Sequence, residues 1–116
     1  MEKDPLIIAG KAYNSRLLVG TGKYSSEKQA LEAIKASNSE IVTVAIRRVE
    51  LDYENRSDSI LNYITPEKYK ILPNTAGCFS AKEAIRIACL GRELLNGENL
   101  IKLEVLKDKE TLMPLM

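Results

Sequence analysis

Short apolar segments alternate with helical segments along this chain, and this alternation constrains its fold more than any other feature. The apolar runs begin at Leu17, Ile41, Ile71 and Leu100, at intervals of about 24 to 30 residues, and each interval holds one helical pattern. A strand, a crossover helix and a further strand in the same direction build a parallel sheet with right-handed connections. The sequence therefore predicts an α/β chain with about four parallel βα units.

Two of the helices have clear starting signals. Ser26 is followed three residues later by Gln29, and Ser80 by Glu83, which is the capping-box spacing. The first helix is expected to end near Asn38 and the second at residues 96–97, where an Asn-Gly pair stops it. The apolar face predicted for the second helix comprises Ala81, Ala84, Ile85, Ala88 and Cys89.

The segments between and around these units are shorter and more polar. Residues 6–13 read as a hairpin that turns at Gly10. Residues 47–58 are polar and are predicted to form a loop, with a short helix after them at residues 60–64. A further helical start is expected at residues 108–112, before Pro114 interrupts it.

Composition excludes several kinds of function. The 116 residues suffice for one domain, 1–116, with 45% apolar and 28% charged residues. A net charge of +1 and a lack of long apolar runs argue against nucleic-acid and membrane binding. With no histidine, neither a transition-metal site nor a histidine-activated nucleophile is expected. Cys78 and Cys89 match no metal or redox spacing, so both thiols should be free in a reducing, cytosol-like compartment.

The glycine-containing turn at residues 20–22 suggests a phosphate loop, because it joins a strand to a helix. Ser25 occupies the third glycine position of the dinucleotide fingerprint. Leu17 and Tyr24 occupy positions that the Walker pattern reserves for glycine and for Ser or Thr. Both motifs therefore fail. Two interpretations stay open, a general anion contact at the helix start and a tight βα turn that needs small residues.

Two further polar segments follow the second and third strands. Arg47 and Arg48 lie where ligands gather in parallel sheets, so they could bind a phosphate or an acidic partner, or form salt bridges to Glu50 or Asp52. Residues 74–78 lie at the same level after the third strand, and Cys78 is expected to be structural there.

The fourth apolar run contains a lysine and a carboxylate. Strand alternation places Lys102 and Glu104 together on one face, predicted to be turned toward the core. Burial there would cost desolvation energy unless the two groups pair or react. A lysine that has lost part of its preference for the charged form can attack a ketone to form an imine. The alternative is a strand with one solvated face that both charges line.

Four segments of the chain stand in register with one known family. They are residues 18–24 (LVGTGKY), 40–48 (EIVTVAIRR), 72–78 (LPNTAGC) and 101–105 (IKLEV). Together they resemble thiazole synthase of the thiamin pathway, in its bacterial and plastid form. Their order and spacing agree across nearly the whole chain. This resemblance implies a (β/α)8 TIM-barrel fold, of which the chain would be a truncated half barrel preceded by its hairpin.

The resemblance also implies a reaction and its participants. The family condenses 1-deoxy-D-xylulose 5-phosphate, a glycine-derived imine and sulfur from a sulfur carrier protein thiocarboxylate into the thiazole phosphate precursor of thiamin. The lysine at the position of Lys102 forms the Schiff base with the sugar, and Glu104 matches a carboxylate that moves protons. No cofactor or metal is expected. The expected setting is a homo-oligomer in the cytoplasm, or in the plastid stroma.

Three departures from the family pattern keep rival interpretations open. The chain stops after four strands, Lys107 stands where the family usually has glycine, and Leu115 stands where an acidic residue is typical. One rival is another Schiff-base barrel of the aldolase type, which should lack the segments around residues 47–48 and 74–78. The other is an inactive remnant that at most binds the carrier protein or a full-length subunit.

Overall fold

A hairpin precedes the main sheet, as the sequence predicts. In the computed structural model, which describes residues 4–56 and 58–115, β1 (Leu6–Ile8) pairs antiparallel with β2 (Lys11–Tyr13). The two connecting residues, Ala9 and Gly10, have φ values of 50° and 80°. Positive φ at both central positions is what a type I′ turn requires, so the predicted turn at Gly10 is confirmed.

Three parallel strands form the main sheet. They are β3 (Leu18–Val19), β4 (Ile41–Ala45) and β5 (Lys70–Asn74), in the order β3-β4-β5. Just before β4, Glu40 Oε1 accepts hydrogen bonds from the backbone N–H groups of Asn14 and Ser15, at 2.5 and 2.9 Å. These bonds attach the segment after the hairpin to the amino end of the sheet. The predicted parallel α/β arrangement is confirmed for three strands.

The helices begin where the sequence places their caps. The hydroxyl of Ser26 accepts the N–H of Gln29 at 3.1 Å, and that of Ser80 accepts the N–H of Glu83 at 3.2 Å. Asn38, with φ of 57°, ends the first helix. The helical elements are α1 (Glu27–Ser37), α2 (Ile46–Glu54), a short 3-10 helix (Ile60–Asn62) and α3 (Ala81–Leu94).

The prediction of a loop at residues 47–58 is wrong over most of its length, because α2 occupies it; Ser57 lies outside the described residues. The helix has only two buried side chains, Ile46 and Val49, which stand three residues apart on one face. Its remaining positions are largely polar, so the apolar period is too short to be recognised. Tertiary contact with α3 and β4, rather than local pattern, stabilises this helix.

The predicted apolar face of α3 is wrong in part. Ala84 is buried as expected, but Ile85 is 63% exposed and Cys89 is exposed, whereas Ile87 and Gly91 are buried. The helix is thus rotated relative to the prediction. Gly91 explains the rotation, because a Cβ there would lie 2.9 Å from Cγ1 of Ile46, so only glycine allows this close approach.

The helices cover one face of the sheet. Alternation along β4 and β5 points Val42, Val44 and Ile71 to that face. The main core cluster comprises Ala30, Ile34, Val42, Val44, Val49, Ile60, Ile64 and Ile71. The opposite face, which carries Ala45 and Asn74 and is called the open face below, is only partly buried. No helix in the described ranges has the length and apolarity needed to cross a bilayer.

The fourth predicted strand is present only as an extended segment. Within the part of the chain that the structure describes, Lys102 forms a single parallel bridge with Asn74, and no ladder continues on either side. The predicted helical start at residues 108–112 is one turn, in which the N–H of Leu112 donates to the carbonyl of Asp108 at 3.2 Å. Leu112 then takes a φ of 56°, which ends the turn at once. The described chain therefore contains three βα units and part of a fourth.

Candidate functional site

Lys102 lies at the carboxyl edge of the sheet, on the open face. It is the bridge partner of Asn74, and Asn74 is in turn the register partner of Ala45. Directly opposed residues in a sheet point to the same side, so all three lie opposite the helix-covered core. The side chain of Lys102 is exposed, because no described element covers this face. The core-facing prediction is therefore wrong for this residue, and the alternative of a solvated strand face agrees with its exposure. Within residues 4–56 and 58–115, Lys102 makes no salt bridge.

Glu104 lies two residues further along the same extended segment and is half-buried. Its backbone is held by one side chain, that of Thr75. The hydroxyl of Thr75 donates to the carbonyl of Glu104 at 2.8 Å and accepts the N–H of Glu104 at 2.7 Å. The structure thus brings Lys102 and Glu104 to one segment, and Thr75 is a residue that the sequence analysis did not single out.

The turn at residues 74–78 shapes the edge beside Lys102. The Asn74 side-chain oxygen accepts the N–H of Ala76 at 3.0 Å, and the N–H of Cys78 donates to the carbonyl of Thr75 at 3.3 Å. Gly77 has a φ of 87° and lies against Arg47, whose Cδ would be 3.4 Å from an added Cβ. The turn therefore packs tightly on the start of α2.

Arg47 and Arg48 pair with helix-start carboxylates, not with Glu50 or Asp52 as one interpretation supposed. Arg47 forms an ion pair with Glu83 in the first turn of α3. Arg48 pairs with Glu27 at 2.6 Å and donates to the carbonyl of Thr21 at 3.0 Å. The pKa of Glu27 lies below its usual value because its backbone N–H and then Arg48 stabilise the carboxylate. Both arginines thus connect α2 to the neighbouring helices.

The turn at residues 20–22 is closed by its own contacts. Thr21 is 3% exposed, and its hydroxyl donates to the carbonyl of Thr43 at 2.9 Å. Its backbone carbonyl accepts the bond from Arg48, so the hydroxyl and the carbonyl of Thr21 both serve the fold. These contacts favour the interpretation as a tight βα turn over an anion contact, although a Cβ at Gly22 would meet nothing within 4 Å, so a small residue is not required at that position.

The two cysteines are free thiols in different surroundings, as predicted from their spacing. Cys78 is fully buried, in a cluster with Ile46, Ala84 and Ile87, whereas Cys89 is exposed on α3. Burial, and secondarily the nearby carboxylate of Glu83, raises the pKa of the Cys78 thiol. The described residues contain no cluster of three metal-ligating side chains.

We expect the two thiols to react at very different rates in the folded chain. Cys89 should react rapidly with a thiol reagent, because it is exposed, and Cys78 should react slowly, because it is buried and protonated at neutral pH. Native titration should count one fast thiol, and titration after denaturation should count two. Two equally fast thiols in the native chain would contradict the packing of Cys78.

A separate cleft of about 320 Å³ lies at the opposite end of the sheet, lined in part by Tyr13, Glu40 and Lys70. An ion pair between Lys70 and Glu98, at 2.5 Å, forms part of its wall. Lys70 begins β5 and Asn74 ends it, so the cleft and Lys102 are separated by about 13 Å of strand. The amine of Lys70 in the cleft is held in an ion pair, whereas Lys102 makes no salt bridge within the described residues, so the carboxyl edge is the better candidate site.

Comparison with known proteins gives one family. Residues 7–116 match the family described as thiazole biosynthesis protein ThiG. The chain is 57% identical to thiazole synthase of Acinetobacter baylyi over 98% of its own length and 44% of the relative's length. It is 57% identical to thiazole synthase of Methylobacillus flagellatus and 54% identical to that of Nitrosococcus oceani. The chain thus spans less than half the length of the curated relatives it matches.

Proposed function

Because the chain belongs to the thiazole synthase family, we propose that it forms the first part of a (β/α)8 barrel with that activity. On this proposal residues 1–116 are a single partial domain. The assembled barrel condenses 1-deoxy-D-xylulose 5-phosphate, a glycine-derived imine and the sulfur of a carrier-protein thiocarboxylate into the thiazole phosphate of thiamin. We further propose a homo-oligomeric enzyme of the cytoplasm or the plastid stroma.

The observation that carries the chemistry is the position of Lys102. Its amine is on the open face, at the carboxyl edge of a parallel sheet, which is where barrel enzymes assemble their sites. Neutral lysine adds to the ketone carbon of the sugar, and the carbinolamine loses water to give the imine. Glu104, two residues away, is proposed to carry protons during addition and dehydration. Closure of a barrel over the open face would also exclude water from Lys102.

The unpaired edges of the sheet support the barrel. β3 forms one edge, with Leu18 42% exposed, and the segment around Lys102 forms the other, with Leu103 66% exposed. Exposed apolar side chains beside free backbone groups are costly in water and favour pairing with further strands. A polypeptide that corresponds to the part of Acinetobacter baylyi thiazole synthase beyond the matched region could supply those strands. It is called the complementary polypeptide below.

Reductive trapping tests the assignment of Lys102. Borohydride added to the chain, the complementary polypeptide and 1-deoxy-D-xylulose 5-phosphate should fix one sugar phosphate per chain, measured by intact mass. Lys102→Ala should abolish the adduct, and Lys102→Arg should do so as well, because a guanidinium stays protonated and is a poor nucleophile. Lys107→Ala serves as the matched control on the same segment and should keep the adduct. An adduct retained in Lys102→Ala would refute the assignment.

A further inference from the structure

Thr75 replaces backbone hydrogen bonds that the fourth strand lacks. In a regular parallel ladder that includes the bridge between Asn74 and Lys102, the N–H of Glu104 would bond to the carbonyl of Thr75. The carbonyl of Glu104 would accept the N–H of Gly77. Among the described residues neither bond forms: the carbonyl of Thr75 accepts the N–H of Cys78, and the hydroxyl of Thr75 bonds to both backbone groups of Glu104.

The hydroxyl of Thr75 satisfies both backbone groups of Glu104. It accepts the N–H at 2.7 Å and donates to the carbonyl at 2.8 Å. The hydroxyl therefore acts as both hydrogen-bond donor and hydrogen-bond acceptor toward the same residue. Thr75 is fully buried, and its own N–H donates to the carbonyl of Lys102 at 3.2 Å. One residue therefore contacts the backbone of both Lys102 and Glu104.

Other backbone hydrogen bonds anchor the segment on either side of Glu104. The N–H of Lys102 donates to the carbonyl of Pro73, and the N–H of Leu106 donates to the carbonyl of Cys78, both at 2.9 Å. Between these anchors, the carbonyl of Val105 accepts the N–H of Leu115 at 2.8 Å, and Thr75 holds both backbone groups of Glu104 itself. Catalytic groups must be held closely in place for their side chains to act together.

We propose that Thr75 is the positioning residue of the reaction, holding Glu104 at a fixed place relative to the amine of Lys102 through its hydroxyl. This role rests on the proposed function of Lys102 and Glu104. Thr75 is fully buried and bonds to the backbone of Glu104, so it would act through Glu104 and not on the substrate directly. Removal of its hydroxyl should therefore slow imine formation without changing how tightly the sugar phosphate binds.

Amide exchange in the chain alone tests the hydrogen bonds. Thr75→Val keeps the side-chain shape but loses the hydroxyl, and should lower exchange protection of the Glu104 amide about tenfold. Thr75→Ser should restore it. Thr21→Val is the matched control, because Thr21 is also a buried threonine at a strand end and its hydroxyl bonds to Thr43 instead. Thr21→Val should leave the exchange protection of the Glu104 amide as it is in the unmodified chain. If Thr75→Val also left that protection unchanged, the proposal would be overturned.

Trapping kinetics in the presence of the complementary polypeptide test the catalytic consequence. Thr75→Val should lower the maximal trapping rate at least about tenfold, while the half-saturating sugar phosphate concentration stays the same and Thr75→Ser recovers the rate. A Thr75→Val variant that traps at the normal rate would overturn the positioning role. Absence of any adduct at Lys102 in the unmodified chain would instead overturn the proposed function, and the amide result would still stand as a separate measurement.

Discussion

A polypeptide of these 116 residues should make no thiazole phosphate alone and should make it when the complementary polypeptide is added. Alone, the open face leaves Lys102 in water, and the unpaired edges around Leu18 and Leu103 are uncovered. In barrel enzymes the phosphate cradle commonly lies after the seventh and eighth strands, which the chain does not provide. Without a held phosphate, the ketone is not positioned against the amine. We expect the product to rise from below detection to a measurable rate on mixing, with sulfur carrier thiocarboxylate and glycine-derived imine supplied.

The matched control is the Lys102→Ala chain mixed with the same complementary polypeptide. It should form the same complex, measured by size-exclusion chromatography, and make no product, because assembly depends on the edges and not on the amine. Product from the 116-residue chain alone would contradict the half-barrel account. A complex that forms fully and never turns over would identify the chain as a remnant that only binds.

Gly91→Val is expected to destabilise the chain by about 3 kcal/mol, since extra core atoms commonly cost 1–3 kcal/mol and β-branching disfavours the helix further. An added Cβ at Gly91 would lie 2.9 Å from Cγ1 of Ile46 and 3.3 Å from Cβ of Pro73. Ile46 is fully buried, so it has no room to move aside. The free energy of unfolding, from urea denaturation, measures the effect.

A double-mutant cycle checks the cause. Ile46→Ala removes Cγ1, so the combination with Gly91→Val should be less destabilising than the sum of the two single changes. Gly22→Val is the control in open space, where a Cβ would meet nothing within 4 Å, and should change stability by about 0.5 kcal/mol or less. Additive effects at Gly91 and Ile46 would show that the contact does not set the packing of α3.

Local chemistry made part of the fold predictable. The turn at Gly10 and the caps at Ser26 and Ser80 depend on residues next to each other in sequence, and all three are found where expected. The fourth strand was predicted as regular because alternation at residues 100–106 is strong. The turn after β5 interrupts the hydrogen-bond ladder of this fourth strand, and the hydroxyl of Thr75 bonds to the backbone of Glu104 in its place. No periodic pattern in the sequence reveals this substitution.

Packing decided the features that pattern alone could not. The rotation of α3 about its own axis, which decides which of its side chains are buried, depends on contact between Gly91 and Ile46. These two residues are 45 positions apart in sequence. The salt-bridge partners of Arg47 and Arg48 are carboxylates on other helices. An interpretation based on acidic residues nearby in sequence therefore named the wrong partners. For the site, the sequence predicted that Lys102 and Glu104 share one segment but left open whether Lys102 faces the core or solvent, because exposure depends on what covers the open face.

Peptide mapping of the borohydride-trapped assembly tests the central claim most directly. The chain and the complementary polypeptide are reduced with 1-deoxy-D-xylulose 5-phosphate present, digested and sequenced by mass spectrometry. We expect the sugar phosphate to be attached to Lys102 and to no other lysine of the chain, since the amine of Lys102 lies at the carboxyl edge on the open face. Attachment at Lys23 or Lys107, with Lys102 unmodified, would contradict it.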